Sequence, residues 1–133
     1  DDFFDVLIMS EVLEHLDDEV LAQTLSEVRR VLKPQACFLG TVPADENLAD
    51  SICVCPCCGE QFHRWGHVQS FSASALQQQL SAEFRDLKVS RHFFGDNPGL
   101  NWKGRLSVRF KRTLLALGVW GSNETLAFVG RPR

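Results

Sequence analysis

The chain has 133 residues, 44% hydrophobic and 23% charged, the composition of a single globular domain with a core of its own. This excludes a disordered chain. No apolar run is long enough to span a bilayer, and the start DDFFDV has neither the basic segment nor the cleavage site of a signal peptide, so a cytoplasmic protein is expected. The net charge of −3 hides two poles: residues 1–82 carry 4 Lys/Arg against 13 Asp/Glu, and residues 83–133 carry 10 against 4. Opposite poles attract one another within a molecule or between copies, and neither nucleic acid nor a membrane is expected as the partner.

Phe4 to Ser10, FDVLIMS, is a continuous apolar run without a helical stripe and predicts a strand buried on both faces. Glu11 to His15 form a turn, after which Asp17 can cap a helix. That helix carries Leu21, Leu25, Val28 and Leu32 on one stripe, acids in its first turn, and Arg29, Arg30 and Lys33 in its last. Pro34 ends it, and Cys37 to Pro43, CFLGTVP, predicts a second buried strand. Strand, helix and strand make a βαβ unit with two parallel strands.

Cys53 to His67, CVCPCCGEQFHRWGH, then places four cysteines and two histidines in fifteen residues. Five cysteines in all is an odd number, and four crowd into six positions, too close to staple separate elements as disulfides. Cys55, Cys58, His63 and His67 have the spacing C-x2-C-x4-H-x3-H, by which a short loop wraps one tetrahedral structural zinc, with Pro56 and Gly59 shaping the turn. Cys53 or Cys57 can replace one of these ligands. The bland alternative is a set of ordinary thiols and imidazoles. Arg64 and Trp65 are expected to fold over the loop rather than to meet a substrate.

Residues 71–84 predict a second amphipathic helix, capped by Ser72 or Ser74, with Leu76, Leu80 and Phe84 four apart. Leu87, Val89, Arg91 and Phe93 alternate as in a strand with one solvated face, and a turn centred on Asn97-Pro98-Gly99 follows. Trp102, Leu106, Phe110, Leu114 and Leu117 define a third helical stripe, backed by Arg105, Arg109, Lys111 and Arg112 and expected to face the core. Thr125 to Gly130 predicts a last strand. Cys37, His92 and Trp120 stand outside any motif. The chain has no P-loop, Ser-His-Asp arrangement or paired-carboxylate signal.

FDVLIMSEVLEHL, a helix ending VLKP and a strand ending TVP resemble the fourth strand, following helix and fifth strand of class I S-adenosylmethionine-dependent methyltransferases. CPCCGEQFHRWGHVQSFS is similar to a Cys/His insertion after the fifth strand in one bacterial branch of them. The SASAL helix, the strand near Val89 and TLAFVG would complete the sheet as a helix and two antiparallel-paired strands. The resemblance implies an α/β fold, the C-terminal half of a Rossmann-like methyltransferase sheet, in a single partial domain over 1–133. Its expected additions are a zinc-loop insertion at 53–71 and a basic helical insertion at 95–123.

It further implies that Ser10, Glu11 and Val12 border S-adenosylmethionine, while Glu14 and His15 face the active-site mouth as candidate catalytic groups. Otherwise Glu14 serves its own backbone and His15 packs beneath the helix. The glycine-rich turn and the acid that hold most of the cofactor in that family are absent, and Gln35 and Ala36 stand where the family has glycines after KP. A fragment is therefore expected, inactive by itself, with the acceptor a small molecule or a glycan by analogy. Its first strand would present a bare edge, predicting self-association or a companion chain. The other reading is a zinc-stabilised α/β module without catalysis that binds another protein.

Overall fold

In the computed structural model, the described residues are 1–93, 99, 101–119, 121 and 124–133. Positions 97 and 98 of the expected turn, and Trp120, lie outside them. Strand β1 (Phe4–Ser10) leads through a 3-10 turn (Leu13–His15) into helix α1 (Asp18–Val31), and strand β2 (Leu32–Pro43) follows directly. Asp17 caps α1 by accepting from the Val20 N–H at 2.9 Å, and Leu21, Leu25 and Val28 form its buried stripe. The helix stops at Val31 because Leu32 already has extended backbone and Pro34 cannot continue a helix.

A short hairpin, β3 (Ile52–Val54) with β4 (Gln61–His63), carries the cysteine loop, and α2 (Ala73–Leu80) precedes β5 (Phe84–His92). Ser72 caps α2. The helix is shorter than its stripe suggests: Leu76 and Leu80 are helical, whereas Phe84 opens β5 and points its ring into the same core. Helix α3 (Trp102–Ala116) and strand β6 (Thr125–Pro132) complete the chain.

The main sheet runs β1-β2-β6-β5, with β1 parallel to β2 and β6 antiparallel to both of its neighbours. Helices α1 and α2 pack on the face that carries Phe38, Val42, Phe84, Leu126 and Phe128. Phe38 lies at its centre, 4.8 Å from the Phe84 ring and 5.0 Å from the Phe128 ring. Two expectations of burial fail here. In β1, Leu7 and Met9 pack against the core, but Val6 and Ile8 face outward, Ile8 being 68% exposed, because the helices cover one face of the strand only. The stripe of α3 is also open: Trp102, Leu106, Phe110 and Leu117 are exposed and only Leu114 is half-buried. With α1 and α2 occupying the helix layer, α3 is left to pack near its C-terminal end, where Phe93, Leu114, Leu115 and Val119 line a small apolar cavity.

The close approach of β1, β2 and β6 depends on Gly40. It pairs with Met9 on one side and Phe128 on the other, and a Cβ built there would lie 1.9 Å from the Met9 carbonyl oxygen and 2.7 Å from the Phe128 ring. The Gly40→Ala variant should therefore lose at least about 1–3 kcal/mol of stability, measured as a lower midpoint in urea denaturation.

Candidate functional site

The carboxyl end of β1 opens onto a cleft whose walls include Glu11, Glu46, Trp65, His67 and Glu124. Ser10 ends the strand with its hydroxyl 2.7 Å from that of Thr41, and the Glu11 N–H donates to the Thr41 carbonyl at 2.8 Å. Glu11 then turns the chain with a φ of +53°, the left-handed region that a glutamate adopts at a cost. Ser10, Glu11 and Val12 thus stand together at the end of the parallel pair, the side of an open α/β sheet on which ligands bind.

The Leu13–His15 turn is held from outside. The Glu14 carbonyl accepts from the N–H groups of Val68 and Gln69, at 2.9 and 3.3 Å, and the Gln69 side-chain amide donates to the carbonyls of Leu13 and Leu16. These bonds satisfy carbonyls at the end of a short turn and bring the segment around His67 down onto Glu14 and His15.

Of the four predicted zinc ligands, His63 and His67 stack ring on ring, and Cys55 and Cys58 lie in the loop that joins β3 to β4. The Cys55 N–H donates to Glu60 and its carbonyl accepts from Gly59 at 2.9 Å, closing a tight loop with Gly59 at φ +75°. The backbone N–H groups of Cys58 and Cys57, together with both thiols, hold the Cys55 thiol below its usual pKa, as in a knuckle shaped for a thiolate. Among the described residues, however, neither cluster of three potential ligand atoms lying within 4.8 Å of one another includes a cysteine. Nor does His63 offer a free ring nitrogen on its buried side: its Nδ1 accepts the His67 N–H at 3.0 Å, so its proton is on Nε2, 3.6 Å from Glu46.

Glu46, which no motif marks in the sequence, is the residue that orients this group. It lies 2.5 Å from His67 Nδ1, and the His63 and His67 rings stack at 4.8 Å with Trp65 beside both. Trp65 is exposed, with the Arg64 guanidinium over its ring. Glu14 is 1% exposed and neither carboxylate oxygen has a hydrogen-bond partner. Its backbone therefore serves the turn while its side chain points at His15 and His67, each ring nitrogen 4.0 Å from Oε1. Away from the cleft, His92 bonds to the Ser90 hydroxyl, and Cys37 is half-buried.

Residues 1–39 match the model of a family described as a methyltransferase domain. No curated protein matches the chain. Among solved structures it is similar to a SAM dependent methyltransferase from Archaeoglobus fulgidus, 17% identical with a TM-score of 0.60, covering 98% of this chain and 60% of that one. It is also similar to a putative methyltransferase of Haloferax volcanii in complex with the Trm112 activator, at 19% identity and a TM-score of 0.56, covering 99% and 55%. A third neighbour is DhpI in complex with SAH, 16% identical with a TM-score of 0.53, covering 98% and 48%. The chain spans between 48% and 60% of these three proteins. Its sheet, helices and crossover share the Rossmann-like α/β fold of these neighbours over the part of their length that it spans.

Burial raises the pKa of the Glu14 carboxyl, opposed first by the dipole of its own backbone N–H, which lies outside hydrogen-bond geometry; the Glu11 charge adds to the rise, and His15 and His67 oppose it more weakly. A carboxyl that holds its proton more tightly when folded makes the folded state less stable as pH rises from the unfolded carboxylate range through its folded pKa. Glu14→Gln should therefore raise the thermal midpoint of the chelator-treated chain at pH 8 and have little effect near pH 4, as read by calorimetry.

Proposed function

We propose that the chain is the part of an S-adenosylmethionine-dependent methyltransferase that receives the methyl donor at the end of β1 and the acceptor in the adjoining cleft. The observation that carries this reading is the placement of Ser10, Glu11 and Val12 at the carboxyl end of the parallel pair, in a fold shared with a SAM dependent methyltransferase and with DhpI, solved with SAH. The acceptor is a small molecule or a glycan. A sulfonium methyl group is already activated, so the main task is to align the acceptor atom in line with it. Glu14 and His15 stand behind His67, which lines the cleft, as candidates for a group that takes a proton, a help only to a weak nucleophile. The share of the neighbours' length that the chain covers also fits a polypeptide that binds the donor only weakly by itself.

Nuclear magnetic resonance of the labelled chain tests this. Millimolar S-adenosylhomocysteine should shift the amides of Ser10, Glu11 and Val12, with no measurable heat at micromolar concentration. An unshifted spectrum, or shifts confined to other elements, would refute the assignment.

The edge of β1 supports a second part of the proposal. Among the described residues β1 pairs only with β2, and it presents Val6 and Ile8 beside its free backbone groups. A second copy or a companion chain covers this edge, an arrangement compatible with the activator-bound neighbour. Light scattering should report association of the chain that falls when Ile8→Lys puts a charge on the strand; a monomer at high concentration would exclude it.

A further inference from the structure

We propose that Glu14, His15 and His67 form a divalent-metal site at the mouth of the cleft, separate from the cysteine loop. Their ligand atoms lie within 4.8 Å of one another. What distinguishes this group from a chance cluster is that the second nitrogen of each imidazole is already committed. His15 Nδ1 is 3.1 Å from the Gly66 carbonyl, which can only accept, so that nitrogen carries the proton. His67 Nδ1 is 2.5 Å from the Glu46 carboxylate and donates to it in the same way. In the neutral form of each ring the lone pair is therefore on Nε2, the nitrogen that faces Glu14, 4.0 Å from Oε1 in both cases.

A histidine ligand that donates its other N–H to a carboxylate or a backbone carbonyl is the usual outer support of a bound metal ion. Between the two rings is a carboxylate that is nearly fully buried, with both oxygens unpartnered. A buried ionised carboxylate without hydrogen bonds is costly, and a cation supplies the missing interaction. Bonds of about 2.0–2.2 Å to each donor require the three atoms to close by roughly an ångström, within reach of small side-chain rotations.

The neighbouring group of Glu46, His63 and His67 is excluded by the same reasoning. His63 presents an N–H there, and His67 offers Glu46 its protonated nitrogen. Glu46 therefore acts on the metal through His67, and His63 fixes the backbone of His67.

Two imidazoles and one carboxylate select a first-row divalent ion, Mn2+ through Zn2+, and leave coordination positions open. Of the three ligands, His67 lines the cleft together with Glu11 and Trp65. If the chain is the methyltransferase portion proposed above, an acceptor oxygen is the ligand that completes the site, and the ion would make a hydroxyl more acidic. Metal binding itself needs neither the methyl donor nor turnover, so it is tested independently of that reading.

The test is titration of the chelator-treated, 133-residue chain with Mn2+, followed by the electron paramagnetic resonance signal of the free ion, because Mn2+ prefers nitrogen and oxygen donors to thiolates. A single bound Mn2+ is expected. His15→Gln, His67→Gln and the isosteric Glu14→Gln should each weaken binding by at least about tenfold, and Glu46→Gln by about 10–100-fold. His63→Gln and the paired Cys55→Ser, Cys58→Ser change should each leave affinity within about threefold of the parent. Circular dichroism of every variant establishes that it is folded, and the Glu14→Gln result stands alone if a histidine variant is not. Mn2+ that stays free at millimolar protein, binding that survives Glu14→Gln, or a loss caused by the cysteine pair or by His63→Gln would each overturn the assignment.

Discussion

The backbone carbonyl of Glu14 is the joint on which the cleft depends. It receives N–H bonds from Val68 and Gln69, residues more than fifty positions downstream, and so fastens the segment after the hairpin to the turn after β1. Without that joint His67 would belong to a surface loop, and Glu14 would face solvent as the other acids of the N-terminal half do, Glu46 excepted. The Gln69 amide strengthens it by serving the carbonyl of Leu16 and by adding a second donor to that of Leu13, which already accepts from the Leu16 N–H. A loop tied down at its backbone can hold side chains to a fixed geometry, and this one holds imidazoles against a buried carboxylate.

The framework was largely legible in the sequence. The spacing of Leu21, Leu25 and Val28 after Asp17, and the strand ending in Pro43, carry enough periodicity and punctuation to place the parallel unit. Where the reading failed, the pattern was real but its partner was not in it. Trp102, Leu106 and Phe110 do form an apolar face, yet a helical stripe says nothing about what covers it. Leu76, Leu80 and Phe84 keep a four-residue spacing although the backbone changes from helix to strand between the second and the third. Val6 and Ile8 read as buried because an unbroken apolar run does not reveal how many layers will enclose it.

The cysteine-rich stretch shows the same limit in chemical form. Its spacing identifies residues able to ligate a metal, but ligation also requires the lone pairs to converge, and that is set by hydrogen bonds made elsewhere. The His67 backbone N–H occupies one nitrogen of His63, while Glu46, twenty-one residues before His67, occupies one nitrogen of that ring. Neither constraint leaves a mark in the order of Cys and His. Likewise EVLEH suggested an active-site mouth through resemblance, whereas the burial of the Glu14 side chain follows only from the segment folded over it.

Glu11 leads to a different kind of conclusion. Among the described residues four other than glycine have positive φ, and three of them, Asp2, Asp45 and Asp86, are aspartates, whose short side chains can bond to the local backbone and tolerate that region. Glutamate has no such compensation, and the left-handed conformation costs it about 1–2 kcal/mol. Glycine would turn the chain there without strain, so backbone geometry does not account for the residue at this position. The penalty is instead a measure of how much the fold gives up to keep a carboxylate on a long, mobile arm at the rim of the cleft.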